Sequence, residues 1–167
     1  MPYIKPDKRP FYDELIKKIV SKLEPLPPAQ IEVTDLDRNE WVAEFTMNFL
    51  TEPEDQQDGQ FNYFLTKLFI ELHWLTEGTS YFCYRRTEKI MFPVIRSILE
   101  VYNQPNPSYF KYNRAMGMLT CCMKEFKRRY SNKAVLPLLF LEMMIKSLYE
   151  EIGDYETKKI QENGDVR

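Results

Sequence analysis

The sequence predicts an all-α protein that folds as a single-domain helical bundle of about five to seven helices. Apolar residues recur at alternating steps of three and four along several long stretches, which is the spacing of helices that bury one face. The 167 residues include only five glycines, which disfavours turn-rich β architectures. Proline-containing segments, such as NQPNP at residues 103–107, separate the periodic stretches.

The composition is that of an ordinary soluble globular protein, with 44% hydrophobic and 29% charged residues. The net charge of −2 disfavours nucleic acid as a partner. No apolar run approaches the roughly 20 residues that span a bilayer, and we see no signal peptide, so the sequence predicts a cytoplasmic protein with no membrane partner. Cys83, Cys121 and Cys122 show no metal-ligand spacing and are predicted to be reduced thiols. With His73 as the single histidine, neither a metal nor a cofactor is expected.

The predicted helices follow one another with short breaks. Residues 1–10 contain three prolines and are predicted to form an extended N-terminal arm. Residues 51–59 are predicted to form an acidic loop, and Pro93 is predicted to kink or divide the fourth helix. Gly78 is expected to end the third helix and Gly153 the last. The predicted helices cover residues 11–23, 37–50, 60–75, 81–102, 108–130 and 134–152.

The helix over residues 108–130 is predicted to lie at the centre of the bundle, paired with the helix over residues 60–75. Ser108 is a suitable N-cap for it. Gly117 in mid-helix costs about 1 kcal/mol relative to alanine, which favours the close approach of another backbone as its explanation. The predicted apolar seam of this helix consists of Tyr109, Tyr112, Met116, Leu119, Met123, Phe126 and Tyr130.

Polar and aromatic side chains stand beside the apolar seams near the starts of both central helices. Asparagine supplies donors and an acceptor, and tyrosine adds a stacking face and a hydroxyl, which together suit a base or another planar ligand. If the two helices pack parallel, or if the protein dimerises head to tail, both groups can line one cleft. If the helices pack antiparallel, the two groups lie at opposite ends. The alternative is structural, with the asparagines capping or bridging helices inside the bundle. The candidate ligand-binding residues in these groups are Asn62, Tyr63, Thr66, Tyr109, Tyr112 and Asn113.

Four local patterns together resemble those of a small protein family. They are MPYIK at residues 1–5, G-x-F-N-Y at 59–63, S-Y-x-x-x-N at 108–113 and KKIQENGDV at 158–166. The family is a domain of unknown function found in bacteria, archaea and their phages. The resemblance implies a soluble cytosolic protein, encoded by a cell or by a phage, and directs attention to the four segments. It implies no particular activity.

The C-terminal tail, residues 153–167, would be solvated and floppy on composition alone. The resemblance implies an ordered tail instead, because the closing pattern of the family covers it. A turn at Asn163 and Gly164 would return Asp165 to the body of the protein. We therefore expect the tail to dock on the bundle, at the start of one of the two central helices. The tail would add Lys158, Lys159, Asn163 and Asp165 to the ligand site.

These observations favour a non-catalytic binding protein that sequesters a small nucleotide-like ligand. The first alternative is a protein-interaction or inhibitor module of phage type. The second alternative is an Mg²⁺-dependent hydrolase, because the acidic residues near the C-terminus resemble the helices of all-α nucleoside triphosphate pyrophosphohydrolases, which hold Mg²⁺ against a triphosphate. Those acidic residues are Glu150, Glu151, Asp154, Glu162 and Asp165.

The last predicted helix carries more apolar surface over residues 136–148 than one buried face needs. An exposed apolar patch on the order of several hundred Å² favours association. The sequence therefore predicts a homo-oligomer, most simply a dimer, which is the commonest symmetric assembly.

Overall fold

The structure, a computed structural model, describes residues 4–23, 33–75, 81–101 and 106–164. Across these residues the chain forms six α-helices and no strand, which confirms the predicted all-α bundle. Gly78, Asp165 and the first three residues lie outside this part, as does the side chain of Cys83. None of the helices in the described ranges is long and apolar enough to cross a bilayer. The helices are α1 (Arg9–Leu23), α2 (Asp35–Phe49), α3 (Glu54–Glu71), α4 (Tyr81–Glu100), α5 (Tyr109–Tyr130) and α6 (Val135–Asn163).

The first three helices pack up and down around Tyr12 of α1. Its hydroxyl donates to Gln60 Oε1 of α3 at 2.5 Å and accepts from Asn48 Nδ2 of α2 at 3.2 Å. Farther along α1, Lys18 Nζ donates to Glu44 Oε1 at 3.0 Å, so α2 runs antiparallel to α1. A short connection returns the chain into α3, which is therefore parallel to α1.

α3 and α5, the two helices predicted to be central, contact each other and run parallel. Near the start of both helices, Arg114 donates to Glu54 Oε1 at 2.8 Å and to Gln57 Oε1 at 2.7 Å. Near their ends, the rings of Phe126 and Phe69 lie 5.6 Å apart. The starts of the two predicted central helices thus lie at the same end of the bundle.

α6 returns antiparallel to α5 and also contacts α4. The ring of Tyr109, at the start of α5, lies 5.2 Å from the ring of Tyr155 in the second half of α6. At the other end of α6, the Phe140 ring is fully buried and lies 5.3 Å from the Trp74 ring. The bundle is therefore closed by an aromatic core at one end and by a set of tyrosines at the other.

Two segments predicted to be irregular are helical. Residues 6–10 of the predicted arm form a short 3₁₀ helix (Pro6–Lys8) and the beginning of α1. Pro10 is tolerated there because first-turn N–H groups have no intrahelical acceptor to lose. The acidic segment 51–59 is not a loop, because α3 begins at Glu54. Acidic side chains in the first turn stabilise the positive end of the helix dipole, which the sequence interpretation overlooked.

The predicted end of the third helix is wrong as well. α3 ends at Glu71, and His73 adopts a left-handed conformation with φ of 61°. The chain then folds back, so that the Trp74 ring stacks on Phe69 with centroids 4.9 Å apart. Trp74 Nε1 donates to Thr87 Oγ1 of α4 at 3.0 Å, which ties this turn to the next helix.

α4 and α6 continue through residues that were predicted to break them. Pro93 lies inside α4, which is not divided. Gly153 lies inside α6, which runs on to Asn163. The hydroxyl of Thr157 donates to the Gly153 carbonyl oxygen at 3.0 Å, as expected for residues four apart in a continuous helix. Residues 154–163 are therefore helical, where the sequence predicted a separate tail.

The prediction that Ser108 caps α5 is confirmed, since Lys111 N donates to Ser108 Oγ at 3.3 Å. Its buried face departs from the predicted seam because α5 contacts α3 on one side and α6 on the other. Gly117 is exposed, and no atom lies within 4 Å of a Cβ added to it, so the predicted close approach of a backbone is wrong. The buried residues of α5 are Tyr112, Ala115, Met118, Leu119, Cys122 and Phe126.

Candidate functional site

The two halves of the predicted cleft have different neighbours, and the α3 half faces α1. The Tyr63 hydroxyl donates to Asp13 Oδ1 at 2.7 Å, and Lys67 Nζ lies 2.8 Å from the same oxygen. Thr66 Oγ1 donates to Asn62 Oδ1 at 3.1 Å within α3. Tyr63 and Lys67 thus bridge α3 to α1, whereas the hydrogen bond of Asn62 stays within α3.

Tyr63 and Lys67, which both contact Asp13, hold their protons tightly. Burial is the main cause that raises the pKa of Tyr63, and the hydrogen bond to Asp13 raises it further. The hydrogen bond to Asp13 also raises the pKa of Lys67. Tyr63 is thus neutral and Lys67 charged at neutral pH, and neither is disposed to act as a base or a nucleophile. This half of the predicted site ties α1 to α3.

In the α5 half, Tyr112 lines a groove between the start of α5 and the second half of α6, and Tyr109 packs against Tyr155 of the groove wall. The groove encloses about 400 Å³, which is within the range of roughly 300–1,000 Å³ found for small-molecule sites. We call it the tyrosine groove. It is lined by Pro107, Tyr112, Glu151, Asp154, Tyr155, Lys158, Lys159 and Glu162.

Tyrosine rings form the apolar wall of the groove. The Tyr155 ring meets Tyr109 edge-on at 85° and lies 5.5 Å from the Tyr112 ring. Tyr112 is buried, and its hydroxyl donates to Glu151 Oε1 at 3.3 Å. Arg96 of α4 forms an ion pair with the same carboxylate. Tyr109 is 46% exposed, so part of its ring faces solvent beside the buried Tyr112.

Lys158 and Lys159 form the charged wall of the tyrosine groove. Both are exposed, and Lys159 Nζ lies 5.7 Å from the centroid of the Tyr155 ring, within reach of a cation–π interaction. The groove adjoins the start of α5, where first-turn N–H groups form the positive end of the helix dipole. Asp154 and Glu162 add carboxylates that can accept hydrogen bonds from hydroxyl or amino groups.

Two tyrosines and two lysines of the predicted site therefore meet at one place, whereas Asn163 and Asn113 do not join them. Asn163 lies farther along α6, where its Nδ2 donates to the Lys159 carbonyl oxygen at 3.2 Å. Asn113 lies on an exposed side of α5. Asp165 lies outside the described residues, so the predicted turn that would return it stays a prediction.

Sequence reasoning missed Tyr155, although a signal for it was present. Leu148, Glu151 and Tyr155 are spaced by three and four residues, which continues the face of α6 that contacts α5. The expectation that Gly153 ends the helix concealed this periodicity. Arg96 was missed for a different reason, because no local pattern shows that α4 would bring it to Glu151.

The acidic residues considered for the hydrolase alternative lie on one helix. Glu150, Glu151, Asp154 and Glu162 all belong to α6, whereas the enzymes they resemble use carboxylates from facing helices. Glu151 is engaged by Arg96 and Tyr112. Within the part of the chain that the structure describes, no group of three or more His, Cys, Asp or Glu residues is placed to hold a metal ion.

No family model matches the chain, and neither characterised proteins nor solved structures give a match. The resemblance of the four patterns to a domain of unknown function stays a prediction. Two of those patterns nevertheless meet at the tyrosine groove. The S-Y-x-x-x-N segment contains Tyr109 and Tyr112, and the KKIQENGDV segment contains Lys158 and Lys159.

Proposed function

We propose that the tyrosine groove binds a small nucleotide-like ligand, an aromatic ring that carries phosphate, and sequesters it without chemical change. The observation that carries the proposal is the juxtaposition of the Tyr109 and Tyr155 rings with Lys158 and Lys159. The planar ring of the ligand lies against the tyrosines, where stacking contributes about 1–3 kcal/mol. Its phosphate contacts the two ammonium groups, and Asp154 accepts hydrogen bonds from a sugar hydroxyl or a base amino group.

A binding role needs affinity but no catalytic group. The Glu151 carboxylate of the groove is engaged by Arg96 and by the Tyr112 hydroxyl. It therefore serves as an anchor for the wall of the groove. The proposal includes a cytoplasmic setting, where nucleotides are abundant, and a phage or cellular origin of the kind that the family resemblance implies.

A thermal-shift panel tests the proposal directly. The panel contains a nucleoside, its mono-, di- and triphosphates, and inorganic phosphate. Because ligand binding stabilises the folded state by about 2.7 kcal/mol at 100 times Kd, phosphorylated nucleosides are expected to raise Tm. The nucleoside alone and inorganic phosphate should each do so less, since each supplies half of the contacts. A panel in which no nucleotide raises Tm would contradict the proposal.

A matched pair of variants locates the binding site. Lys158→Gln with Lys159→Gln removes two charges from the groove and is expected to reduce the nucleotide-induced rise in Tm by half or more. Lys124→Gln with Lys127→Gln removes two exposed charges from α5, away from its groove end, and should leave the rise unchanged. Equal losses in both double variants would show that the nucleotide effect is non-specific.

A second candidate function, a protein-interaction or inhibitor module, is favoured by an apolar surface near the start of α5. Phe110 and Leu50 are 72% and 59% exposed and line a neighbouring groove of about 280 Å³. Large exposed apolar side chains of this kind are typical of protein contacts. Phe110→Asp separates the two candidates, because it should disable a protein contact yet leave nucleotide binding at the tyrosine groove intact.

A further inference from the structure

α6 leaves one face uncovered along most of its length. The opposite face packs into the bundle, whereas residues at alternating steps of four and three form a continuous exposed stripe. Val135 and Tyr149 in this stripe are 65% and 64% exposed, and Leu139 is 42% exposed. We call it the α6 stripe. Its residues are Val135, Leu139, Glu142, Lys146, Tyr149 and Gly153.

Charged residues occupy the middle of the α6 stripe, and apolar residues flank them on both sides. Glu142 and Lys146 occupy the middle, and among the described residues neither has an ion-pair partner within the chain. Leu139 and Tyr149 lie immediately outside them. At one end, Gly153 is exposed, and no atom lies within 4 Å of a Cβ added to it. The stripe therefore offers one acid and one base between two apolar residues, with open space at its end.

We propose that the α6 stripe binds the α6 stripe of a second copy in antiparallel orientation, about a two-fold axis at position 144. Glu142 then faces Lys146 of the second copy, and Leu139 faces Tyr149 of the second copy. The members of each pair lie equally far from position 144, so the two-fold axis repeats every contact. Each of the two pairs occurs twice across the axis. In these four contacts an acidic residue faces a basic one, or two apolar residues face each other.

The end of the stripe fits the same register. Val135 and Gly153 are also equally far from position 144, so the exposed valine of one copy faces the glycine of the other. The absence of a side chain at Gly153 leaves room for the branched valine, and helices approach closely where a contact residue is small. A glycine that has no packing role within its own chain thereby acquires one in the dimer.

Other arrangements of two stripes are disfavoured by charge. A parallel two-fold pairing sets Glu142 against Glu142 and Lys146 against Lys146, and like charges repel. An antiparallel pairing displaced by one heptad sets Leu139 against Glu142 in one direction, or against Glu156 in the other. Only the register about position 144 satisfies the charged and the apolar residues together. This interface gives the predicted homo-oligomer a surface, and it is independent of ligand binding at the tyrosine groove.

Sedimentation of charge-reversed variants tests the orientation and the register. At high micromolar concentration the unaltered protein is expected to sediment with twice the mass of the chain. Glu142→Lys or Lys146→Glu alone sets like charges against each other twice and should weaken the dimer about tenfold or more. The double variant Glu142→Lys with Lys146→Glu restores attraction and should recover the dimer. Both positions are exposed, so circular dichroism should show the fold preserved in every variant.

A strict monomer at high micromolar concentration would overturn the proposal, and so would single reversals that dimerise as well as the unaltered protein. Cysteine pairing supplies a second test, in a Cys83→Ser, Cys121→Ser background that removes the thiol of Cys83 and the exposed thiol of Cys121. A mixture of Leu139→Cys and Tyr149→Cys proteins is expected to form a disulfide-linked dimer on oxidation. Neither variant alone should do so, because equivalent positions lie about 15 Å apart along the paired helices, beyond disulfide reach. Equal cross-linking in the single variants, or none in the mixture, would overturn the register.

Discussion

At the scale of single residues, Tyr12 determines how the first three helices fit together. It is fully buried, and its hydroxyl links Gln60 of α3 to Asn48 of α2. Tyr12→Phe keeps the ring but leaves the buried Gln60 amide without this partner, which should lower the free energy of unfolding by about 1–3 kcal/mol. Chemical denaturation measures the loss. Tyr81→Phe, at a position 60% exposed, is the matched control, and an equal effect in both variants would refute the role of Tyr12.

Buried tyrosines also set the alkaline limit of stability. Burial is the largest cause that raises the pKa of Tyr12 and of Tyr84 above the ordinary value of 10.0. Because the folded-state pKa is the higher one, the stability contributed by these groups is complete below pH 10.0 and is lost as the pH rises through the folded-state values. The free energy of unfolding should therefore begin to fall as the pH passes about 10 and should keep falling as the pH rises towards the folded-state pKa values. The decline should be shallower in Tyr12→Phe, and an identical pH profile in the two proteins would count against this explanation.

At the scale of helices, the sequence was informative where the signal is local. Ser108 was predicted as the cap of α5 because a cap depends on residues within one turn. The end of α3 was not predictable in this way, since it depends on a left-handed conformation at His73, which only a few per cent of non-glycine residues adopt. Gly153 was misread because its intrinsic cost of about 1 kcal/mol is offset by a distant contact. That contact is the packing of Tyr155 against Tyr109 and Tyr112.

Gly153→Ala should stabilise the protein by about 0.5–1 kcal/mol, because alanine relieves the conformational cost of a glycine in mid-helix. The added methyl group meets no atom within 4 Å. Gly164→Ala is the contrasting control. It lies at φ of 76°, where alanine is strained, so no gain is expected there. Thermal denaturation of the dilute, monomeric proteins gives both values without any contact between copies. A destabilised Gly153→Ala monomer would show that α6 is not continuous at this point.

At the scale of the whole molecule, the sequence located half of the candidate site. The parallel packing of α3 and α5, one of the arrangements considered, is what the structure has. The sequence could not predict which neighbour each side chain faces. Tyr63, for example, faces Asp13, which lies 50 residues away in sequence. Lys158 and Lys159 were selected through the family resemblance, since nothing in their immediate sequence distinguishes them from other exposed lysines.

Truncation after Gly153 tests whether the end of α6 is a functional element. It removes Tyr155, Lys158 and Lys159, while every residue from 154 to 163 is exposed or half-buried in the intact chain. The truncated protein should therefore remain helical by circular dichroism and lose the nucleotide-induced rise in Tm. A shortened chain that still responds to nucleotide would separate ligand binding from the tyrosine groove.

The central claim is that the tyrosine groove binds a phosphate-bearing planar ligand, and isothermal titration calorimetry with the nucleotide that most raises Tm tests it most directly. We expect one site per chain in the unaltered protein. In Lys158→Gln with Lys159→Gln, Kd should rise about tenfold or more, because two charge-assisted contacts to phosphate are lost. In Lys124→Gln with Lys127→Gln it should stay the same. No measurable heat of binding in the unaltered protein, or an unchanged Kd in the groove variant, would contradict the claim.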